Sequence, residues 1–168
     1  VDASPLALGP VEAWRRRLTN LSGGRPVVGL FRRSGLITPA REKFYPIIER
    51  WAPLLTLDDI CFVSLQFDDD SKDRETARRL FNASVEKLDE IDLRDDLDEL
   101  AALCAALDGV VAPSTTTANL SSAVGTRTVI VERTRPWCPM IGNKEAILSG
   151  TERVFPPNQG DWEWVFHE

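Results

Sequence analysis

The chain has 168 residues, 43% of them hydrophobic and 27% charged, with a formal net charge of -6. That length fits one ordinary domain with a real core, and the acidic balance argues against a general nucleic-acid or anionic-membrane surface, since both need a basic footprint. No apolar run approaches the ~20 residues that cross a bilayer, and the N-terminus lacks the basic-then-apolar layout of a signal peptide, so the expectation is a cytoplasmic protein with no membrane span.

Residues 1–24 read as a lead-in helix and linker: Val11, Trp14 and Leu18 recur at helical spacing after Pro10, and Gly23 and Gly24 end the pattern. A Rossmann-like domain is expected over residues 25–168. "RPVVGLF" suits a buried strand that stops at the polar loop Arg32, Arg33, Ser34, Gly35. "FYPIIERWAPLLTL" carries Ile47, Ile48, Trp51, Leu54 and Leu55 on one helical stripe in spite of its prolines. "DICFVSLQF" is a second buried strand, "SKDRETARRLFNAS" a short polar helix, and "VEKLDEI" a third, edge-like strand.

"DDLDELAALCAALDG" has the strongest helical stripe in the chain, with acidic residues crowding its first turn, where the helix dipole favours them. "GVVAP" is a fourth strand, "APSTTTANLSSAVG" a loop and helix, and "RTVIVER" a fifth strand. From Thr134 the chain reads as irregular until "ERVFPP" and a terminal "GDWEWVFHE". Continuous apolar strands alternating with helices predict the doubly wound α/β class, a parallel sheet of about five to six strands covered on both faces. Ligands of such sheets sit beyond the carboxyl ends of the strands, which directs attention to the loops after Phe31, Gln66, Ile91, Pro113 and Arg133.

His167 is the only histidine and lies one residue from the end, so mechanisms built on a histidine base or a His-ligated metal are set aside. Cys61, Cys104 and Cys138 are odd in number and in dissimilar contexts, which speaks against a disulfide framework or a CxxC metal site. Asp68 and Asp70 have an Asp-x-Asp spacing that suits a hard cation, but without a supporting ligand cluster the run "FDDDSKD" reads as a solvated cap on a strand end, and no metal is expected.

Two loops remain. Arg32, Arg33, Ser34 and Gly35, with Arg41 and Lys43 further on, offer guanidinium forks to a phosphate or form a solvated turn. No GxGxxG or GxxxxGK[ST] is present, which excludes the commonest dinucleotide and P-loop sites. After the fourth strand, Ser114, Thr115, Thr116 and Thr117 open a small-residue helix whose first N–H groups would welcome an anion, or which is merely N-capped by its own hydroxyls.

In order, "VVGLFRRSG", "ICFVSLQF", "DLDELAALCAALDGVVAPSTTTANLSSAVGTRTVIVE" and "RVFPPNQGDWEWV" resemble the C-terminal, nucleotide-sugar-binding half of a GT-B glycosyltransferase. The likeness is strongest to the heptosyltransferase-like domain that follows tetratricopeptide repeats in many bacterial proteins, and it covers roughly residues 10–168. Where that family runs from its fourth strand into Asp-Thr-x-x-x-His-Leu-x-Gly-Ala-Leu-Gly, this chain has Ser114, Thr115, Asn119, Leu120, Ser122, Ala123, Val124 and Gly125 at the matching positions. The loop threonine and helix frame are kept, while the family's Asp is Ser114 and its His is Asn119. Trp137 and Gly142 keep a family spacing, but "ILSG" at 147–150 replaces its aromatic pair.

The resemblance implies that Arg33, Ser34 and Gly35, together with Ser114, Thr115, Thr116 and Thr117, contact the diphosphate of a nucleotide sugar, with Asn119 near the donor sugar or phosphate. It places the acidic residues 95–99 near the ribose or base. It implies no separate cofactor, because the nucleotide sugar is itself the donor substrate, and a metal-independent transfer in which helix-terminus dipoles and basic or hydroxyl donors stabilise the leaving diphosphate. The acceptor half of a GT-B cleft comes from an N-terminal domain, so this chain is expected to be a fragment or to be completed in trans, and alone not to turn over. The alternative is a degenerate, non-catalytic domain serving protein interaction alongside tetratricopeptide repeats. A nucleotide-sugar isomerase or epimerase is a third option, disfavoured because it needs carboxylate or histidine bases.

Overall fold

Apolar residues on both faces of a strand can be buried only if helices cover both sides of the sheet, and this chain solves that problem with a mostly parallel sheet. The computed structural model describes residues 8–35, 37–42 and 44–131, and the backbone of short strands at 140–141, 145–146 and 152–155. Its strands are β1 Val27–Leu30, β2 Cys61–Ser64, β3 Val85–Lys87, β4 Gly109–Ala112, β5 Thr128–Val131, β6 Met140–Ile141, β7 Glu145–Ala146 and β8 Glu152–Phe155. Among the described residues they form one sheet in the order β3-β2-β1-β4-β5-β8-β7-β6. The six strands from β3 to β8 in that order run parallel, and β7 and β6 add an antiparallel edge.

The helices are α1 Leu8–Ser22, α2 Pro39–Glu42, α3 Ala52–Leu55, α4 Ser71–Phe81, α5 Leu97–Ala106 and α6 Thr116–Ala123, with a 3-10 turn at Ile48–Trp51. One face of the sheet presents Val27, Phe31, Cys61, Val63, Val110, Ala112 and Ile130 to α1, α5 and α6. The other presents Leu30, Phe62, Val111 and Val131 to Trp51, Leu55 and Ala77 of the 3-10 turn, α3 and α4. This alternation along each strand is the period-two geometry of a pleat, and it explains why the strands read as unbroken apolar runs. Each fully buried Leu or Val contributes about 1.5–3 kcal/mol through removal from water.

The lead-in helix is part of this core: Val11, Trp14 and Leu18 are buried against α5, and the Trp14 indole N–H donates to Glu99 Oε1 at 2.8 Å. It ends at Gly23 (φ 63°) and Gly24 (φ 87°), left-handed conformations that glycine adopts without Cβ strain.

Two elements differ from the sequence expectation. The stripe in "FYPIIERWAPLLTL" is not one helix: after the short α2 come the 3-10 turn and α3, because Pro46 and Pro53 each remove a backbone donor and break the ladder. The stretch after Thr134, expected to be irregular up to "ERVFPP", holds the antiparallel strands β6 and β7, and the "ERVF" segment is β8, inserted between β5 and β7 as the sixth parallel strand. Expectations placed on Lys43, Cys138, Trp137, Gly142, residues 147–150, residues 156–168 and His167 lie outside the described residues.

Candidate functional site

The carboxyl ends of β1, β2 and β4 converge on a cleft of about 430 Å³, within the usual range for small-molecule sites. The start of α6 forms one wall: Ser114, Thr115, Thr116 and Thr117 all line the cleft. Thr115 has extended backbone angles (φ -144°, ψ 172°) at the N-cap position, yet its side chain makes no capping bond. Its Oγ1 instead donates to the Pro113 carbonyl at 3.1 Å. The Asn119 N–H donates to Thr115 O at 3.0 Å, so the preceding N–H groups of Thr116, Thr117 and Ala118 emerge at the positive end of the helix dipole without a side-chain cap.

The small residues further along α6 serve another purpose. Ser121 is fully buried, donates to Ala118 O at 2.9 Å and shares a hydrogen bond with Thr128 Oγ1 at 2.8 Å, while Thr126 Oγ1 donates to Cys104 O at 2.7 Å. These bonds tie α6 to β5 and α5 and fix where the helix entrance points. Asn119 is exposed one turn into the helix, and the cleft lining does not include it.

Ser34 lines the opposite wall, and Arg41, Tyr45 and Arg94 complete the polar rim. The floor is apolar: Phe31, Phe67, Leu93, Leu97 and Leu100, with the Phe31 and Phe67 ring centroids 6.1 Å apart and Leu97 49% exposed. Gly35 lies directly against the Phe67 ring, in a space where a Cβ would overlap Cζ and approach Cε2 to 2.7 Å. The Arg94 guanidinium stands 5.7 Å from the Phe67 ring centroid, a cation–π contact. Arg94 is presented by a turn that Asp92 holds, its Oδ1 accepting from the N–H groups of Arg94 (2.9 Å) and Asp95 (3.0 Å). Those backbone bonds, with that from Asp95 the larger, hold the Asp92 carboxyl below its ordinary value. Among the described residues no carboxylate lines this cleft.

Arg33 behaves differently. Its guanidinium is paired with the Asp68 carboxylate and donates to the Asp69 carbonyl at 3.1 Å. It lines a neighbouring groove of about 480 Å³ with Arg32, Ile47, Lys72 and Asp73, and Tyr45 stands on the ridge between the two cavities. Arg32 is likewise taken up by Asp73, with its Nε 2.8 Å from Oδ2. The acidic run thus neutralises the arginines of the first loop. Asp70 accepts from Ser64 and Arg74, and among the described residues no group of three or more His, Cys, Asp or Glu is arranged to hold a metal. Two carboxylates within residues 95–99 have structural partners: Asp96 caps α5 by accepting from Glu99 N–H at 3.0 Å, and Glu99 accepts from Trp14.

Arg94, Phe67 and Tyr45 were not legible as cleft residues in the sequence. The one signal for Arg94 was its place just ahead of a helix start in "DLRDD". The buried thiols fit a structural role: burial pushes Cys104 up to about 12, and burial also raises Cys61.

This arrangement of sheet, crossover helices and carboxyl-edge cleft is a Rossmann-like half of the GT-B glycosyltransferase fold. The solved structures that resemble it are a glycosyl transferase family 9 protein from Veillonella parvula (12% identity, 86% of this chain, 41% of that chain, TM-score 0.59) and E. coli ADP-heptose LPS heptosyltransferase II (18%, 92%, 44%, TM-score 0.60). E. coli heptosyltransferase WaaC, solved with ADP-2-deoxy-2-fluoro heptose, is a third (17%, 90%, 42%, TM-score 0.56). Among curated proteins, FlbA of Caulobacter vibrioides is 34% identical over 154 residues, which is 91% of this chain and 26% of that protein. The chain thus spans about a quarter of the curated relative it matches and less than half of each similar structure. No protein-family model matches it. Among the described residues no helix is long and apolar enough to cross a membrane.

Proposed function

We propose that this chain is the nucleotide-sugar-binding unit of a GT-B glycosyltransferase-like protein. One observation carries the reading: a cleft, without a carboxylate among its described lining, in which two arginines, four consecutive hydroxyl residues and an uncapped helix start face a common space above an apolar floor. The diphosphate lies over the entrance of α6, with its oxygens shared among the emerging N–H groups, the Ser34 and Ser114–117 hydroxyls, Arg41 and Arg94. The base rests on Phe67 and Leu97. The fold it shares with the heptosyltransferase structures supports this reading, one of them having been solved with a nucleotide-sugar analogue.

In this proposal transfer is metal-independent. The leaving nucleoside diphosphate is stabilised electrostatically by the helix end and the two guanidinium groups, which supply no proton chemistry. The acceptor and its base come from an N-terminal half, in a longer polypeptide that also carries tetratricopeptide repeats, and this chain alone binds without turnover. The non-catalytic alternative is favoured by one specific feature, the absence of any carboxylate from the cleft lining among the described residues. Calorimetric titration with UDP-, GDP- and ADP-glucose tests binding, and the same titration followed by product assay on the full-length protein separates donor binding from turnover. A folded chain that gives no heat with millimolar ligand contradicts the reading.

A further inference from the structure

The loop that carries Ser34 into the cleft is short, polar and without regular structure, so something outside it must fix its path. Gln66, at the carboxyl end of β2, does this and is 2% exposed. Its Oε1 accepts from the N–H groups of Arg32 (3.3 Å) and Arg33 (3.2 Å), and its Nε2 donates to the Arg33 carbonyl at 2.8 Å. Only one orientation of the amide satisfies all three bonds, because a reversed amide would set donor against donor and acceptor against acceptor. Gln66 is itself held at both main-chain groups: its N–H donates to Ser64 Oγ at 3.2 Å, and Lys87 Nζ of β3 donates to its carbonyl. One buried residue, through its side-chain amide and its main-chain carbonyl, therefore ties the ends of three parallel strands together. Its neighbour Phe67 supplies the surface against which Gly35 is pressed.

We infer that Gln66 is a positioning residue for anion binding: it touches no ligand, but it holds the β1–α2 loop so that Ser34 faces the α6 entrance across the cleft. The inference rests on the nucleotide-sugar reading above. A carboxylate cannot replace the amide, because one of its oxygens would face the Arg33 carbonyl at hydrogen-bond distance with no proton between them; a carboxylic acid can, because its O–H donates where Nε2 donated. The charged groups around that position are Lys87 on β3, Arg32 and Arg33 on the loop, Asp70 ahead of α4, and Asp73 and Arg74 within α4.

The experiment is a titration of wild type, Gln66→Glu and Gln66→Leu with UDP-, GDP- and ADP-glucose at about pH 8 and about pH 5.5, a range in which the diphosphate diester of the ligand keeps its charge. Circular dichroism and thermal melting of each variant accompany it. The expected result is binding by wild type at both pH values, roughly tenfold weaker binding by both variants at the higher pH, and recovery at the lower pH by the Glu variant alone. Wild-type affinity in folded Gln66→Glu at the higher pH, or equal behaviour of the two variants at the lower, overturns the role of Gln66 while leaving the binding reading intact. Silence of the wild type toward all three ligands overturns both. If Gln66→Glu fails to fold, Gln66→Leu with unchanged affinity still overturns the inference.

Discussion

Two pairs of arginines stand within one end of this sheet and do opposite things. Arg32 and Arg33, next to the first strand, are joined to Asp73 and Asp68 and so spend their charge inside the fold. Arg41 and Arg94, from less conspicuous positions, border a cleft where no carboxylate is found among the described lining residues. A paired guanidinium has little left to offer a phosphate, because binding a ligand would first require breaking a charge-assisted bond already made. An arginine's value to an anion thus depends on which carboxylates the topology brings to it, and here the loop after β2 brings them to the first pair only.

The contrast can be broken most forcefully at the second pair. Arg41→Ala combined with Arg94→Ala is expected to weaken nucleotide-sugar binding by roughly a hundredfold, the loss of two charge-assisted contacts at an open site, as read by calorimetry. A smaller effect is expected at Gly35, where a methyl group must displace the Phe67 ring and with it the floor of the cleft. Gly35→Ala should cost about tenfold in affinity with little change in the thermal midpoint. Arg33→Ala sharpens the comparison from the other side. It should lower stability by about 1 kcal/mol in denaturant unfolding, since the pair with Asp68 is only partly shielded from solvent, and change ligand affinity less than about threefold.

The smallest effect concerns pH. Asp92 has its folded value depressed by the N–H groups it accepts, so its hold on the Arg94 turn is fully present above the unfolded carboxyl value of about 3.9 and is lost as pH falls through the folded value. Affinity should therefore be flat from neutral pH down to the ordinary carboxylate range and decline only below it. A titration of affinity against pH that bends near neutrality would assign the arginine presentation to some other group.

How much of this was legible in the sequence follows from which interactions are local. Strand positions are, because residues such as Val27 to Phe31 must be apolar on both faces in a doubly covered sheet, and the α6 entrance was visible as a run of hydroxyl residues after an apolar strand. The breaks in the 46–55 segment were foreshadowed by its two prolines but outvoted by the stripe of large apolar residues. What pairing a side chain makes across 35 positions of sequence is not local at all. Read separately, Arg33 offered a phosphate contact or a solvated turn and Asp68 a solvated cap, and only the parallel pairing of β1 with β2 sets their loops side by side. Arg94 was hidden for the same reason: it lies in an acidic stretch, and nothing in that stretch says that its turn opens beside Phe67.

The most direct measurement is a side-by-side calorimetric titration of wild type, Arg33→Ala and the Arg41→Ala/Arg94→Ala variant with UDP-, GDP- and ADP-glucose. Wild type and Arg33→Ala are expected to bind the same nucleotide sugar within about threefold of each other, while the double variant binds roughly a hundredfold more weakly. Loss of binding in Arg33→Ala with retention in the double variant would contradict this expectation, as would silence of all three folded proteins at millimolar ligand.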